Sequence, residues 1–338
     1  MSESEQRWRV TVRPSGLSFP AAPQADLLSA AQHSGLAVPA ACRNGVCEIC
    51  QARLVSGSVR NTRTNQLVAE GSLLMLCRSQ ALSSLELEIS SVMAAGEIVP
   101  ARFQARVSEI RRLTHDVERV MLHLPKRRDL RFHAGQYLSL QLADGSSSYF
   151  SIASSPSAQE LELHIQSAAG WESAERIMAA LHSAGDSPIT LEMPFGKACM
   201  AAAPDRPVVM VAAGTGFAQM KSMIEYLQET DFNHPLKLLW GVRRHEDMYL
   251  RSLAQQWHEN WEPLSFIPMV GDNDDNDWDG HHAQLARAVI ATQQDWTECD
   301  VMASGSPAMV YTLMDALLEA GMPESSFYSD VLEYAPRT

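Results

Sequence analysis

Long apolar runs are missing from this 338-residue chain: no stretch approaches the ~20 consecutive apolar residues of a membrane span. Positive charge is also scarce. Lys and Arg number 27 against 40 Asp and Glu, and the net charge of −13 excludes general nucleic-acid binding, which needs clustered cations. It equally disfavours docking on an anionic membrane surface. Cysteine is sparse at six residues, and four of these fall in one spaced pattern, leaving only Cys199 and Cys299. A disulfide framework is therefore not expected, and with no apolar signal core in the first residues a reducing cytoplasm is the expected location. Internal repeats are absent. The one biased tract, Asp272–Asp279, holds five aspartates in eight residues but lacks the spaced glycine and distal glutamate of an EF-hand, and reads as a solvated loop. The adjacent pair His281-His282 reads as surface.

The pattern present instead is Cys42-Arg-Asn-Gly-Val-Cys47-Glu-Ile-Cys50, answered by Cys77 after twenty-six intervening residues. Four thiolates hold a two-iron cluster, two per iron, when a tight loop curls three of them around one side. Gly45, in mid-loop, is free to take positive φ. The alternatives are a structural zinc site, which more often uses two C-x2-C knuckles, or unpaired core cysteines. The C-x4-C-x2-C…C spacing resembles the cluster loop of plant-type ferredoxins. That resemblance implies a [2Fe-2S] cluster on Cys42, Cys47, Cys50 and Cys77.

Around this loop, Trp8–Arg13 alternates as a strand, Leu27–Gly35 reads as a helix closed by glycine, and Cys50–Val55 and Leu85–Ile89 read as further strands. This order matches a β-grasp ferredoxin over residues 1–92. Eight Arg stand against seven acidic residues there, so the acidity of the chain lies further on. Residues 93–101 lack periodicity, end beside Pro100 and read as a linker.

Across 102–200, successive alternating runs without helices indicate a small antiparallel barrel, six-stranded by the resemblance that follows. Ala134-Gly-Gln-Tyr137 and Phe150-Ser-Ile-Ala-Ser154 resemble motifs of the ferredoxin–NADP reductase-like flavoprotein superfamily. By that resemblance Tyr137, Phe150, Ser151, Ile152 and Ala153 form a flavin site, with Phe150 packed on the isoalloxazine and Ser151 bonded to flavin N5. Phenylalanine replaces the usual tyrosine, as in NAD(P)H:flavin oxidoreductases. Ser148 replaces the arginine that pairs with the flavin phosphate, which bears on whether FAD, FMN or a loosely held flavin is used. Gly170 and Ser173 precede a helical pattern at Ala174–Leu181 and are candidates for a pyrophosphate. The alternative there is an ordinary turn with Ser173 as N-cap.

Residues 201–338 read as an α/β parallel-sheet domain that binds NADH or NADPH. Pro207–Ala213 is a continuous apolar run suited to a buried parallel strand. Gly214-Thr215-Gly216-Phe217 follows, then a helix, which is the arrangement that brings phosphate against backbone N–H groups. It resembles the nicotinamide-dinucleotide loop of the superfamily, with Gln219 at the usual proline. Gly241 ends a second strand, and Arg243 and Arg244 follow, read either as a site for an adenosine 2′-phosphate or as a solvated basic loop, which leaves NADH versus NADPH open. Ser304-Gly305-Ser306-Pro307 resembles a Cys-Gly-Pro-Pro motif, with Ser304 facing the nicotinamide. Phe327–Tyr334 resembles the terminal strand of flavin reductases, with Tyr334 covering the flavin.

Together these resemblances imply a cytoplasmic, monomeric reductase that passes electrons from NAD(P)H through flavin to [2Fe-2S] and on to a redox partner, with a terminal oxygenase favoured. A CDP-6-deoxy-3,4-glucoseen-type reductase, or a flavin reductase releasing reduced flavin, is the alternative. Ser151 and Ser304 are the candidate catalytic residues.

Overall fold

The computed structural model describes residues 7–40, 42–89, 92, 98–125, 130–142, 145–168, 170–271, 278–293 and 295–337. The chain divides into two compact units, Met1–Glu97 and Ile98–Thr338. Residues 93–97 of the expected linker, and 272–277 of the aspartate tract, lie outside the described residues.

The first unit contains β1 (Trp8–Arg13), β2 (Ser18–Ala21), α1 (Leu27–His33), β3 (Gln51–Ser56), β4 (Val59–Asn61), β5 (Leu67–Val68), β6 (Leu73–Met75), β7 (Ser79–Ala81) and β8 (Leu85–Glu88). The main sheet has the order β2-β1-β8-β3-β6, with β1 parallel to β8, and a second sheet has the order β5-β4-β7. Period-two burial on β1 sends Val10 and Val12 into a core shared with Leu27, Leu28 and Ala31 of α1. The Asp26 side chain accepts from the Ser29 N–H and caps α1. Cys50 and Cys77 belong to this core, which roots one end of the cysteine loop.

The second unit opens with β9 (Ala101–Arg112), β10 (Val117–His123), β11 (Tyr137–Gln141), β12 (Ser147–Ser151), β13 (Leu161–Gln166), α2 (Glu172–Ser183) and β14 (Ile189–Phe195). Its strands form an antiparallel sheet in the order β12-β11-β14-β9-β10-β13. A bridge between Ile152 and Leu163 brings the two edges together, so the six-stranded barrel is nearly closed. Interior side chains such as Leu138, Leu140, Leu163 and Leu191 fill it completely.

There follow β15 (Val208–Ala213), α3 (Phe217–Gln228), β16 (Leu236–Val242), α4 (Arg251–Asn260), β17 (Leu264–Val270), α5 (Trp278–Ile290), β18 (Asp300–Ser304), α6 (Pro307–Glu319), β19 (Phe327–Tyr328) and α7 (Val331–Tyr334). The five strands are parallel in the order β17-β16-β15-β18-β19. Alternate residues of β15 face opposite layers: Met210 and Ala212 pack with α3, Val209 and Val211 with α6. Both faces are covered, which is why β15 reads as an unbroken apolar run.

Two local expectations are corrected. The chain end is a strand only at Phe327–Tyr328 and then a short helix, so Tyr334 is helical rather than part of a terminal strand. Trp171, not Ser173, is the N-cap of α2, because the helix begins at Glu172, two residues before the Ala174 start that its apolar pattern indicates.

Candidate functional site: an iron–sulfur loop and two adjoining cavities

In the first unit the cysteine loop is tightly wound. Arg43, Gly45 and Glu48 have φ of 53°, 81° and 59°, so three residues of one short loop occupy the left-handed region. For the two non-glycine residues this is a strained state that persists only where surroundings enforce it. A Cβ on Gly45 would lie 2.9 Å from Cγ of Arg78, which leaves room for glycine only. The sulfurs fall in two pairs, Cys42 with Cys47 and Cys50 with Cys77. The first pair is exposed or half-exposed and the second is buried.

Backbone N–H groups converge on these sulfurs. The Cys47 N–H donates to Cys42 Sγ at 3.3 Å. Hydrogen bonds from the Asn44 N–H, then from Cys47, lower the Cys42 thiol to about 6. Burial, reinforced by Cys50, pushes Cys77 up to about 11, against a hydrogen bond from the Gly45 N–H. Two sulfur pairs ringed by amide donors suit two irons carrying a shared negative core, whereas a zinc ion needs four ligands on one centre. The donor set therefore fits the [2Fe-2S] cluster.

The second unit holds two cavities. The first, of about 960 Å³, is lined by Tyr137, Tyr149, Phe150, Phe195, Trp171 and Tyr334 among others. Tyr137 stacks on Phe195 with centroids 5.7 Å apart, and Tyr149 meets both edge-on. Tyr149, Trp171 and Tyr334 are more than half exposed, an unusual grouping of aromatics around one hollow. Gly196 makes the approach possible, since a Cβ there would stand 2.9 Å from the Tyr137 ring and 2.8 Å from Asp330. The volume and the aromatic walls suit a flat tricyclic ring.

The second cavity, of about 1000 Å³, opens at the carboxyl ends of β15, β16 and β18. Gly214, Thr215 and Gly216 form a 3₁₀ turn between β15 and α3. A Cβ on Gly216 would lie 2.2 Å from the Ser304 carbonyl oxygen, so this glycine lets the loop after β15 touch the end of β18. Trp240 donates its indole N–H to the Gly214 carbonyl at 3.0 Å, fixing that turn from beneath. Gly241, Arg243, Arg244, His281 and His282 line the same space. The histidine pair, expected at the surface, is half-buried here because the start of α5 lies beside Gly271 at the end of β17.

The two cavities share a wall made of Tyr149, Phe150, Ser151, Trp171, Ser304 and Gly305. Ser151 and Ser304, from distant parts of the chain, are thus brought to one partition. Ser173 lines the first cavity and Ser306 the second, while Gly170 and Pro307 are exposed and line neither. Ile152, Ala153 and Phe217 are fully buried, so only their backbones are available to a ligand. The Phe217 ring stacks on Trp240 at 3.9 Å instead.

Sequence reasoning missed Trp171, a member of both cavities. It also missed a buried polar network joining barrel to sheet. Lys221 Nζ reaches Glu162 at 2.9 Å and Glu225 at 2.6 Å. His164 bonds Glu162 at 2.9 Å and the Tyr249 hydroxyl at 3.0 Å. Burial alone would raise the Glu162 carboxyl, but the His164 hydrogen bond and the Lys221 charge prevail and hold it at about 2. Gln219 donates to the carbonyls of Gly135 and Ala198 and to Asp330, each at 2.9 Å.

A paired-sulfur loop, an aromatic ring-sized cavity and a dinucleotide-type cavity in one chain define an oxidoreductase that moves electrons. Residues 10–82 match the 2Fe-2S iron-sulfur cluster binding domain, 102–213 an FAD-binding domain and 210–314 the oxidoreductase NAD-binding domain. The chain is 30% identical over 97% of its length to reductase component 2 of terephthalate 1,2-dioxygenase from Comamonas sp., covering 98% of that protein. It is 28% identical to CDP-6-deoxy-L-threo-D-glycero-4-hexulose-3-dehydrase reductase of Yersinia pestis, over 95% of this chain and 97% of the other. In fold it resembles the ferredoxin reductase in carbazole 1,9a-dioxygenase, with TM-score 0.59, 21% identity, and coverage of 96% and 98%. The chain belongs to the family of NAD(P)H-dependent reductases that carry [2Fe-2S], FAD-binding and NAD-binding domains, which includes reductase components of oxygenases and the CDP-6-deoxyhexulose dehydrase reductases. Among the described residues no helix is long and apolar enough to cross a membrane.

Proposed function

We propose that this chain takes electrons in pairs from NAD(P)H and delivers them singly, from its [2Fe-2S] loop, to a separate terminal oxygenase. The observation that carries the reading is the partition shared by the two cavities, in which Ser151 of the barrel and Ser304 of the parallel sheet both lie. When bound, flavin accepts a hydride and returns electrons one at a time to an iron–sulfur centre. In this reading the Phe150 ring plates the flavin, the Ser151 hydroxyl donates toward it, and Ser304 orients the nicotinamide. The Gly214–Gly216 turn offers backbone N–H groups to the dinucleotide phosphates, and Cys42, Cys47, Cys50 and Cys77 hold the irons.

Exposed Cys42 and half-buried Cys47 lie in the same loop as Val46 and Ile49, which are 68% and 51% exposed. An apolar rim beside a cluster is a natural docking point for the acceptor. The Comamonas relative is by name a component of a dioxygenase, which favours an oxygenase as that acceptor. The Yersinia relative supports a dehydrase acting on a nucleotide-linked hexulose as the second choice. Four thiols that must stay reduced fit the cytoplasm. Arg243 and Arg244 line the dinucleotide cavity beside His115, His281 and His282, and the two guanidinium groups, which can pair with a phosphate, favour NADPH over NADH.

Cys47→Ser tests the path. NAD(P)H-dependent reduction of cytochrome c, which needs single electrons, should fall by about two orders of magnitude, while ferricyanide reduction, which drains the flavin directly, should persist. Equal loss of both activities would contradict a path that leaves through iron.

A further inference from the structure

We infer that the flavin cavity recognises the isoalloxazine ring and not the phosphate-bearing tail, so that riboflavin, FMN and FAD bind with similar affinity and exchange with solution. This rests on the reading of that cavity as the flavin site. Its ring end is well furnished, with Tyr137 stacked on Phe195 and Phe150 and Ser151 at the partition. The other end is where β12 meets the start of α2. There the Ser148 and Ser173 hydroxyls face each other at 3.2 Å, two neutral groups where a phosphate would need charge.

No Lys, Arg or His is found among the described residues that line the cavity, and its only carboxylates are Glu172 and Asp330. The first turn of α2, the natural place for a phosphate, is acidic through Glu172 and Glu175. The Gly170 N–H, which a pyrophosphate would be expected to claim, donates to the Glu175 carboxylate at 3.1 Å. Glu172 is solvent-exposed, so its repulsion of a phosphate is screened and small. The absent attraction is the larger effect: a charge-assisted contact of the arginine–phosphate type is worth roughly ten- to a hundredfold in affinity. Without it, the tail neither anchors the flavin nor selects among flavins.

The test uses the full chain with its cluster intact, freed of flavin by desalting and titrated with riboflavin, FMN and FAD by fluorescence quenching. The three dissociation constants are expected to agree within about tenfold and to change little between low and high salt. Ser148→Arg should tighten FMN and FAD by about tenfold or more, make that binding salt-sensitive and leave riboflavin unchanged. Should Ser148→Arg fail to fold, Glu172→Lys at its exposed position should shift FMN and FAD in the same direction by less, about two- to threefold, lose that gain at high salt and leave riboflavin unchanged. Wild-type FAD or FMN binding more than about tenfold tighter than riboflavin would overturn the proposal while leaving the electron-transfer reading intact. So would a folded variant in which all three flavins shift together or none shifts. No measurable binding of any flavin would overturn both.

Discussion

Lys221 on α3 and Glu162 on β13 form a buried ion pair at 2.9 Å, and through it the dinucleotide helix is tied to the flavin barrel. Only 6% of the lysine side chain and 11% of the glutamate side chain is accessible, so neither charge is relieved by water. Removing one partner strands the other in a low-dielectric interior. Lys221→Met should therefore destabilise the second unit by about 3–5 kcal/mol. The double variant Lys221→Met with Glu162→Leu should recover most of that loss, as read by thermal denaturation. Recovery of less than half would show that the network, with His164 and Tyr249, acts as more than a pair.

Asp330 carries the next prediction. Burial is the main cause that pushes its carboxyl up from 3.8 to about 7, against hydrogen bonds from the Ala198 N–H and Gln219. A carboxyl with a folded pKa above its unfolded one takes up a proton on folding. Its stabilising contribution is complete below about pH 4 and is lost as pH rises toward about 7. The effect is on the order of 2–4 kcal/mol for a shift of this size at a largely buried site. The melting temperature of flavin-free protein should fall from about pH 5 to about pH 8, and Asp330→Asn should flatten that slope. An unchanged slope in the variant would assign the effect to other groups.

Arg243 and Arg244 carry the third, on dinucleotide choice. Acidic Asp116 and Asp247 share the cavity, but Asp247 is already engaged by the Arg244 N–H at 3.0 Å and lies near His115. The two aspartates balance the two arginines in charge, so the preference rests on the guanidinium fork, which can pair with a phosphate through two parallel hydrogen bonds. Replacing both arginines by alanine should lower kcat/KM for NADPH by about 10- to 100-fold and for NADH by less than about threefold. Equal loss with both dinucleotides would remove the preference for NADPH.

What could be read from the sequence divides along physical lines. The cysteine spacing, the apolar run of β15 and the glycine turn after it are local signals, and each stands where its pattern predicts. The strand-by-strand alternation that indicated a barrel likewise follows from side chains that point in and out by turns. Partners far apart in sequence left no such trace. Lys221 and Glu162 are 59 positions apart, and nothing near either residue announces the other. His281 and His282 read as surface because polarity alone cannot reveal that α5 begins beside Gly271. Trp171 went unnoticed because one aromatic before a helix is unremarkable until the fold sets it against two cavities. The resemblance of Phe327–Tyr334 to the terminal strand of flavin reductases implies an extended Tyr334, whereas the chain turns at Asp330, held there by Ala198 and Gln219.

Gln219 has two amide hydrogens to share among three acceptors drawn from the barrel, the segment leaving it and the chain's last helix. One side chain thus stitches two backbone carbonyls and a carboxylate from three remote stretches of chain, which makes a seam between barrel and parallel sheet a poor place to cut. Chimeras that trade nucleotide halves with a relative would sever that stitch, whereas grafts made near residues 97 and 98 would leave it whole.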